Sequence, residues 1–423
     1  MATTRREFIK RSAGAVTVSL FLPQLFVRGA AAQGANNRKL VKIFLLGGND
    51  GLNTVVPYTD MRYYQLRPVI AIKEADLKDS QNQTTIISDQ FGLHPSLSPL
   101  KALYDNGKVA IVAGVGSAKP NLSHFDMMDQ WHTGDPTKTK RDGWLGRYLN
   151  IKYGGGAAII PAVSLKTFFA PRTFRSTVDA PSITNFTDYG LRADPIYPAE
   201  QPEVVRILDR AYTRGASVEG LTGEFSRIAE HALGSIQKIK TIPDRYTSTV
   251  TYPAASSLSD ALKMVAQTMV GLPEASLFYV EVGGYDTHAR QIDGTNPVTG
   301  FHATLLSQFS QAVSAFYSDL AQHNVADDVL IMTVSDFGRQ VPQNASNGTD
   351  HGTAGPMFII GNPVHGGIYG EQPSLAVGKL DSAGNMAVTV DFRAVYSNIL
   401  ERWLGVDPAL ILDKRFDDLG FLA

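Results

Sequence analysis

Aspartates and histidines recur in this chain inside short, glycine-flanked stretches, and such side chains, brought together, bind cations. Asp50 lies in GGNDG, Ser123 in NLSHFD, Asp286 and His288 in GGYDTH, Asp336 and Arg339 in SDFGR, and His351 in DHG. Carboxylates that converge repel one another and take up protons unless a cation compensates them. A divalent ion supplies that charge, and mixed Asp and His ligation suits Zn²⁺ or Mn²⁺ better than Mg²⁺ or Ca²⁺, which prefer oxygen shells. Asp286 and His288 are two residues apart, so in extended backbone they share a face. Each residue also has a plainer reading. Asp50 fits a turn, His288 and His351 taken singly fit satisfied polar residues, and Ser123, with an acid three residues on, fits a helix N-cap. An N-cap serine nonetheless sits where backbone N–H groups favour an anion, a place to hold a transferring phosphoryl group. Arg339 and Arg147 are candidates to clamp that oxyanion, because a guanidinium matches it bidentately; solvated arginines are the alternative. His94, His231, His302, His323 and His365 are read as structural.

The elements that must position these residues alternate between strand and helix. Val41 to Leu46, Lys108 to Gly116, Ser276 to Val282, Val329 to Ser335 and Pro356 to Gly361 are short continuous apolar runs, the look of strands buried on both faces of a mostly parallel sheet. Helical periodicity marks His302 to His323, Ser259 to Val270 and Phe392 to Leu404. The sheet is thus predicted to lie between helices. In open α/β sheets ligands bind beyond the carboxyl ends of the strands, and four of these runs are followed directly by a candidate stretch, with DHG on the loop before the fifth. Residues 153–197 are rich in Gly, Pro, Thr and Ser and contain one strand-like run, Ala157 to Leu165; they are predicted to form an insertion or cap on a single domain spanning 40–423.

Composition narrows the function classes. Of 423 residues 43% are hydrophobic and 19% charged, ordinary for a globular chain, and a formal charge of -1 offers no bulk attraction for nucleic acid or anionic lipid. The absence of cysteine excludes disulfides, thiolate-held clusters and cysteine nucleophiles. TTRREFIK, an apolar run from Ala13 to Val27 and GAAAQ read as a twin-arginine export leader over residues 1–32. The run is short for a span and broken by Pro23 and Gln24, so no stable membrane anchor is expected, and the chain is expected in the periplasm or secreted. DFG lacks the other kinase motifs, GVGSAKP lacks the third glycine of a dinucleotide loop, and there is no P-loop.

In this order, and behind such a leader, GGNDG, NLSHFD, GGYDTH, SDFGR and DHGT resemble a twin-arginine-exported, sulfatase-like bacterial family within the alkaline phosphatase superfamily, from about Leu40 to about Leu404. The resemblance implies an alkaline-phosphatase-like three-layer α/β sandwich, one or two metal ions at the strand ends, and hydrolysis of small-molecule or polymer phosphate or sulfate esters. It implies that Asp50, Asp286, His288, Asp336 and His351 are metal ligands and Ser123 the nucleophile. Two-metal members of the superfamily usually have Asp-His where this chain has Asp336-Phe337; His124 or Asp350 then substitutes, or the second ion is weak or absent. With no cysteine and no Ser-x-Pro-x-Arg, formylglycine chemistry is excluded. Phe337 also keeps open an alternative, a non-catalytic exported binding or scaffold protein with a relic or structural metal site.

Overall fold

The computed structural model describes residues 37–154, 160–167, 170–190 and 198–422. The leader expected at residues 1–32 lies outside the described residues. Among those described, no helix is long and apolar enough to cross a membrane.

Among the described residues nine strands make one sheet: β1 (Lys39–Leu45), β2 (Val109–Gly116), β3 (Ala162–Leu165), β4 (Ser182–Ile183), β5 (Leu277–Val282), β6 (Val329–Ser335), β7 (Gly355–Ile360), β8 (Gly367–Tyr369) and β9 (Val390–Asp391). Their order is β8-β2-β7-β6-β1-β5-β3-β4, with β9 also paired to β2. All five expected strands form, each within two residues of the predicted ends. The described part of 153–197 supplies β3 and β4, which extend the sheet in parallel from β5.

Alternation along the strands feeds two separate cores, as a strand buried on both faces requires. Val41, Ile43 and Leu45 pack with α6 (Ser257–Gly271) and α7 (Phe301–Gln322), through Leu262, Val265, Phe309, Val313 and Phe316. Leu40 and Phe44 face the other way, onto α2 (His124–Thr133), α3 (Trp144–Tyr153) and α8 (Phe392–Asn398), where Trp131, Trp144, Tyr148 and Tyr396 fill the layer. The remaining long helices are α1 (Ser98–Asp105), α4 (Gln201–Gly215) and α5 (Leu221–Lys240). The helix expected to reach Leu404 widens to a π-turn at Ile399–Trp403, where the Leu404 N–H donates to the Ile399 carbonyl at 2.8 Å.

Two features of this topology build a site. β1 runs parallel to both β5 and β6, with Leu45 opposite Val282 and Ser335, so three neighbouring strands end level and release their loops side by side. β7 departs from the parallel arrangement, running antiparallel to β6 and β2. An antiparallel return needs no helical crossover. The segment from Asp336 to Ala354 therefore never leaves the rim where β6 ends.

Candidate metal centre

The rim loops are held together before any ion is considered. Residues 338–340 fold back on 350–353: the Gly338 N–H donates to the Thr353 carbonyl, Gly352 N–H to Gly338 and Gln340 N–H to Asp350. The strand-like pairing of Arg339 with His351 places His351 beside the ends of β1 and β5. The arginine itself is buried. Its Nε donates to the Gly48 carbonyl at 2.7 Å, Nη1 to Thr349 at 2.7 Å, and Nη2 to Tyr285, to Gly47 and to Asp286 Oδ1, the last at 2.6 Å. One guanidinium thus ties the loops after β1, β5 and β6. Gly47 is required at this crossing: its φ is +118°, and a Cβ there would stand 2.3 Å from the Asp286 nitrogen.

Three imidazoles surround the Asp286 carboxylate. His351 Nε2 and His288 Nε2 each lie 3.1 Å from Asp286 Oδ1, and His124 Nε2 lies 3.6 Å from Oδ2. One donor atom each from His124, Asp286 and His351 falls within 4.8 Å of the others. His288 Nε2 and His351 Nε2 are 2.8 Å apart.

The far side of each ring is fixed. His351 Nδ1 is 2.8 Å from the Leu122 carbonyl, His288 Nδ1 2.9 Å from Asp350 Oδ1, and His124 Nδ1 2.6 Å from Asp336 Oδ2. A carbonyl only accepts, so His351 Nδ1 carries the hydrogen and its Nε2 presents a lone pair in the neutral ring. The hydrogen bond from His288, joined by one from Asn344, holds the Asp350 carboxyl below its usual range, so it too acts as an acceptor. With both hydrogens so placed, the two Nε2 atoms face each other across 2.8 Å, a repulsion that a shared proton or a bound cation relieves. Beside this pair, one donor atom each from His124, Asp286 and His351 lies close enough to share an ion. A ligand distance of about 2.0–2.1 Å in a tetrahedral zinc site gives ligand-to-ligand edges of about 3.4 Å; the contacts of His351 and His124 with the two Asp286 oxygens, 3.1 and 3.6 Å, lie near it, and the His288–His351 contact of 2.8 Å is shorter. Imidazoles whose second nitrogen is tied to carboxylate or carbonyl are the usual outer shell of such sites. The residues present fit a divalent ion.

Electrostatics agree with this division of roles. Burial alone would raise the Asp286 carboxyl, but the hydrogen bond and charge of Arg339 outweigh it and hold it ionised, below its usual range. Asp336 is raised by burial, opposed by the bonds from His124 and the Gly47 N–H. Its Oδ1 is buried and has no hydrogen-bond partner among the described residues. Phe337 packs its ring 4.8 Å from that of His124 and 4.5 Å from that of His351, walling one side.

Four of the six expected ligands thus meet: His124, Asp286, His288 and His351. Asp336 stands behind His124 instead of among the donor atoms. Asp50 is turned away, with Oδ2 accepting from Arg67 at 2.7 Å and Gln291 at 2.6 Å, and Arg67, not a metal, compensates it. The expected oxyanion clamps are committed elsewhere: Arg339 as described, and Arg147 on the carbonyls of Ile411, Asp142 and Thr133. Both are held by backbone carbonyls, which a full set of guanidinium donors satisfies well. Ser123 is the N-cap of α2, one residue before His124, its Oγ accepting from the Asp126 N–H at 3.5 Å. His94, His302 and His323 lie outside the cluster. Sequence reading missed Arg67, Gln291 and the Leu122 carbonyl; a backbone oxygen leaves no residue-type signal, and Arg67 stands in no recognisable motif.

A family described as protein of unknown function (DUF1501) matches residues 235–414. No curated protein matches the chain. Similar solved structures include the C-terminal periplasmic domain of EptC from Escherichia coli in complex with Zn (10% identity, 77% of this chain and 73% of that one, TM-score 0.38). A protein in the alkaline phosphatase superfamily from Vibrio parahaemolyticus matches at 12% identity over 98% of this chain and 80% of that one, with a TM-score of 0.37. Alkaline phosphatase from the Antarctic bacterium TAB5 matches at 11% identity over 77% and 91%, with a TM-score of 0.29. The strand order and the donor set, rather than likenesses at this level, carry the argument.

Proposed function

We propose that the chain is an exported, metal-dependent hydrolase of phosphate or sulfate esters, delivered by the twin-arginine machinery to the periplasm or beyond and acting on a small-molecule or polymer ester. The observation that supports this best is the cluster of His124, Asp286 and His351, whose donor atoms lie within 4.8 Å of one another, with His288 Nε2 3.1 Å from Asp286 Oδ1. Zn²⁺ or Mn²⁺ suits that mixed nitrogen and oxygen set, and when bound it would supply Lewis-acid charge and lower the pKa of an oxygen nucleophile. The chain's own residues do the rest. Asp336, Asp350 and the Leu122 carbonyl keep the histidine hydrogens on Nδ1, and Arg339 holds Asp286 ionised in place.

Ser123 begins α2, where first-turn N–H groups and the helix dipole favour an anion. Attack by its Oγ on phosphorus or sulfur would form a serine ester as the bond to the substrate's leaving oxygen breaks. The serine proton ends on that oxygen, and water then cleaves the serine ester. Nucleic acid is not a partner in this reading.

One experiment tests it: count metal per chain in the purified protein, then assay phosphate monoesters, diesters and sulfate esters with wild type and Ser123→Ala. Stoichiometric metal with turnover abolished in the variant is expected. Metal without turnover of any ester would favour the second reading, a non-catalytic exported protein with a structural ion. Phe337, packed against two of the histidines, is the feature that favours it.

A further inference from the structure

One buried side chain joins the loops that carry the clustered residues without itself reaching the cluster. Gln291 is fully buried. Its Nε2 donates to Asp50 Oδ2 at 2.6 Å, and its Oε1 accepts from the Thr287 hydroxyl at 3.0 Å and the Thr349 hydroxyl at 3.1 Å. Thr287 stands between Asp286 and His288, and Thr349 directly precedes Asp350 and His351. A single amide therefore ties the loop after β5 to the loop before β7, and ties both to Asp50 in the segment after β1.

Charge sets the direction of this amide. Arg67 keeps Asp50 ionised, so the carboxylate only accepts. The Gln291 NH2 must face it, which leaves the amide oxygen for the two hydroxyls, each with one hydrogen to give. A glutamate of the same length would set carboxylate against carboxylate. An apolar residue would leave both threonine hydroxyls without that acceptor. Arg67 and Gln291 donate to the same Asp50 oxygen, Oδ2, so an asparagine carbonyl at position 50 can take over from it and preserve the amide's direction.

The two threonines matter for what adjoins them. The Thr349 N–H donates to the Thr287 carbonyl at 3.1 Å, which locks the two stretches in register. His288 rests its Nδ1 on Asp350, while its Nε2 faces Asp286 and His351. Its ring thus comes from one of the loops that Gln291 joins, and two of its three contacts come from the other. Any shift between the loops moves His288 against Asp350 and His351 together. Asn344 bridges the same loops from a partly exposed position, donating to the His288 carbonyl and to Asp350; Gln291 is the buried counterpart that also reaches Asp50.

We propose that Gln291 is a positioning residue of the metal cluster: through the Thr287 and Thr349 hydroxyls it sets the spacing of the two loops, and with it the placing of His288 against Asp286 and His351. The inference rests on the metal-dependent reading and not on turnover.

The test uses the full chain, stripped of metal and reloaded. Zn²⁺ affinity is measured by competition with a chromogenic chelator, and the visible absorption of the Co²⁺-loaded protein reports the geometry around the ion. The variants are Gln291→Met, Thr287→Val and Thr349→Val, each with and without Gln291→Met, and Val313→Ala in the core of α7 as a control that lowers stability away from the cluster. Gln291→Met should weaken Zn²⁺ binding about tenfold, the low end of what loss of an outer-shell partner costs, and should alter the Co²⁺ bands. Each threonine change should weaken binding alone and add little on top of Gln291→Met, because the hydroxyls act through the same amide. Val313→Ala should lower the unfolding midpoint and leave affinity and bands as they are. Zn²⁺ affinity within about twofold of wild type with unchanged bands in Gln291→Met, threonine effects that add in full, or equal weakening by Val313→Ala overturns the inference. Should Gln291→Met fail to fold, wild-type affinity in both threonine variants does the same. Metal binding with these shifts but no turnover of any ester would sink the hydrolase reading alone; turnover with metal affinity unmoved across the variants would sink this inference alone; a wild type that binds no metal sinks both.

Discussion

Arg67 and Asp50 are both fully buried, and the guanidinium Nη1 stands 2.7 Å from the carboxylate Oδ2. Burial works against the Asp50 charge, but the arginine's field and hydrogen bond outweigh it and keep the carboxyl below its usual range. Removing one partner of a buried pair strands the other. Asp50→Asn should therefore lower stability by about 3–5 kcal/mol in denaturant titrations of the metal-free protein, while metal affinity measured on the folded variant stays near wild type. A large loss of metal binding with little loss of stability would return Asp50 to the ligand set.

The clustered donors have room for one ion on the metal-dependent reading. Inductively coupled plasma analysis of fully loaded protein should give one metal per chain, and two would contradict the separation of Asp50 and Asp336 from the cluster. Asp350→Ala frees the back of His288 and should weaken metal binding by about 10–100-fold, with unfolding of the metal-free chain less affected because the Asp350 side chain is half-exposed.

Gly47→Ala asks for a left-handed conformation at φ +118° and places a methyl group against the Asp286 backbone. Strain of this kind costs about 1–3 kcal/mol, and relief requires the loop after β5 to move. Both a lower unfolding midpoint and weaker metal binding should result, whereas Gly283→Ala, whose added Cβ meets nothing within 4 Å, should change neither much.

Acid should weaken the fold before the carboxylates titrate. Burial pushes His94 down to about 3 and His302 to about 4, and drives His132 well below its usual value. These rings stay neutral when folded and take up protons when unfolded. Their contribution is complete above the unfolded value near 6.5 and is lost as pH falls toward their folded values, at up to about 1.4 kcal/mol per pH unit for each ring. Asp336, raised by burial, acts in the opposite direction with a single proton. Denaturant midpoints of the metal-free protein should drop between pH 7 and pH 4.5, and His302→Asn, which keeps a polar partner near Asn49, should flatten the slope. A flat profile would show that these rings are not buried neutral.

Lys42 is buried in the middle of β1 among Phe44, Trp144 and Tyr396, its hydrogen bonds are 3.4 to 3.5 Å long, and among the described residues no carboxylate pairs with it. Burial alone lowers it well below its usual value. Lys42→Met fills similar space without a charge to desolvate, so it should raise stability at pH 7 by at least about 1 kcal/mol. A destabilised variant would mean that the amine does more than occupy that space.

Much of this was legible in the sequence where one residue type answers to one cause. Continuous apolar runs gave the strands because a strand covered on both faces has no other composition, and the glycine-flanked Asp and His residues lay at strand ends because a parallel sheet delivers its loops there. His288 and His351 came from that rule alone. The rule could not tell which acid joins the histidines. Asp50 and Asp336 each follow a strand just as Asp286 follows β5, and their different fates depend on Arg67 and His124, which arrive from distant segments. Arg147 and Arg339 looked like anion clamps because a guanidinium has the same donors whether it meets a substrate or four backbone carbonyls.

The four donor residues span positions 124 to 351, more than half of the sequence. Asp286 with His288 is the one pair of them close in the chain, so a nascent or unfolded polypeptide offers little that could chelate an ion. The backward run of β7 is what finally brings His351 into range. On the metal-dependent reading, loading comes late, after synthesis has passed that strand and the sheet has closed, and an agent that opens the sheet should release the ion before it unwinds the helices.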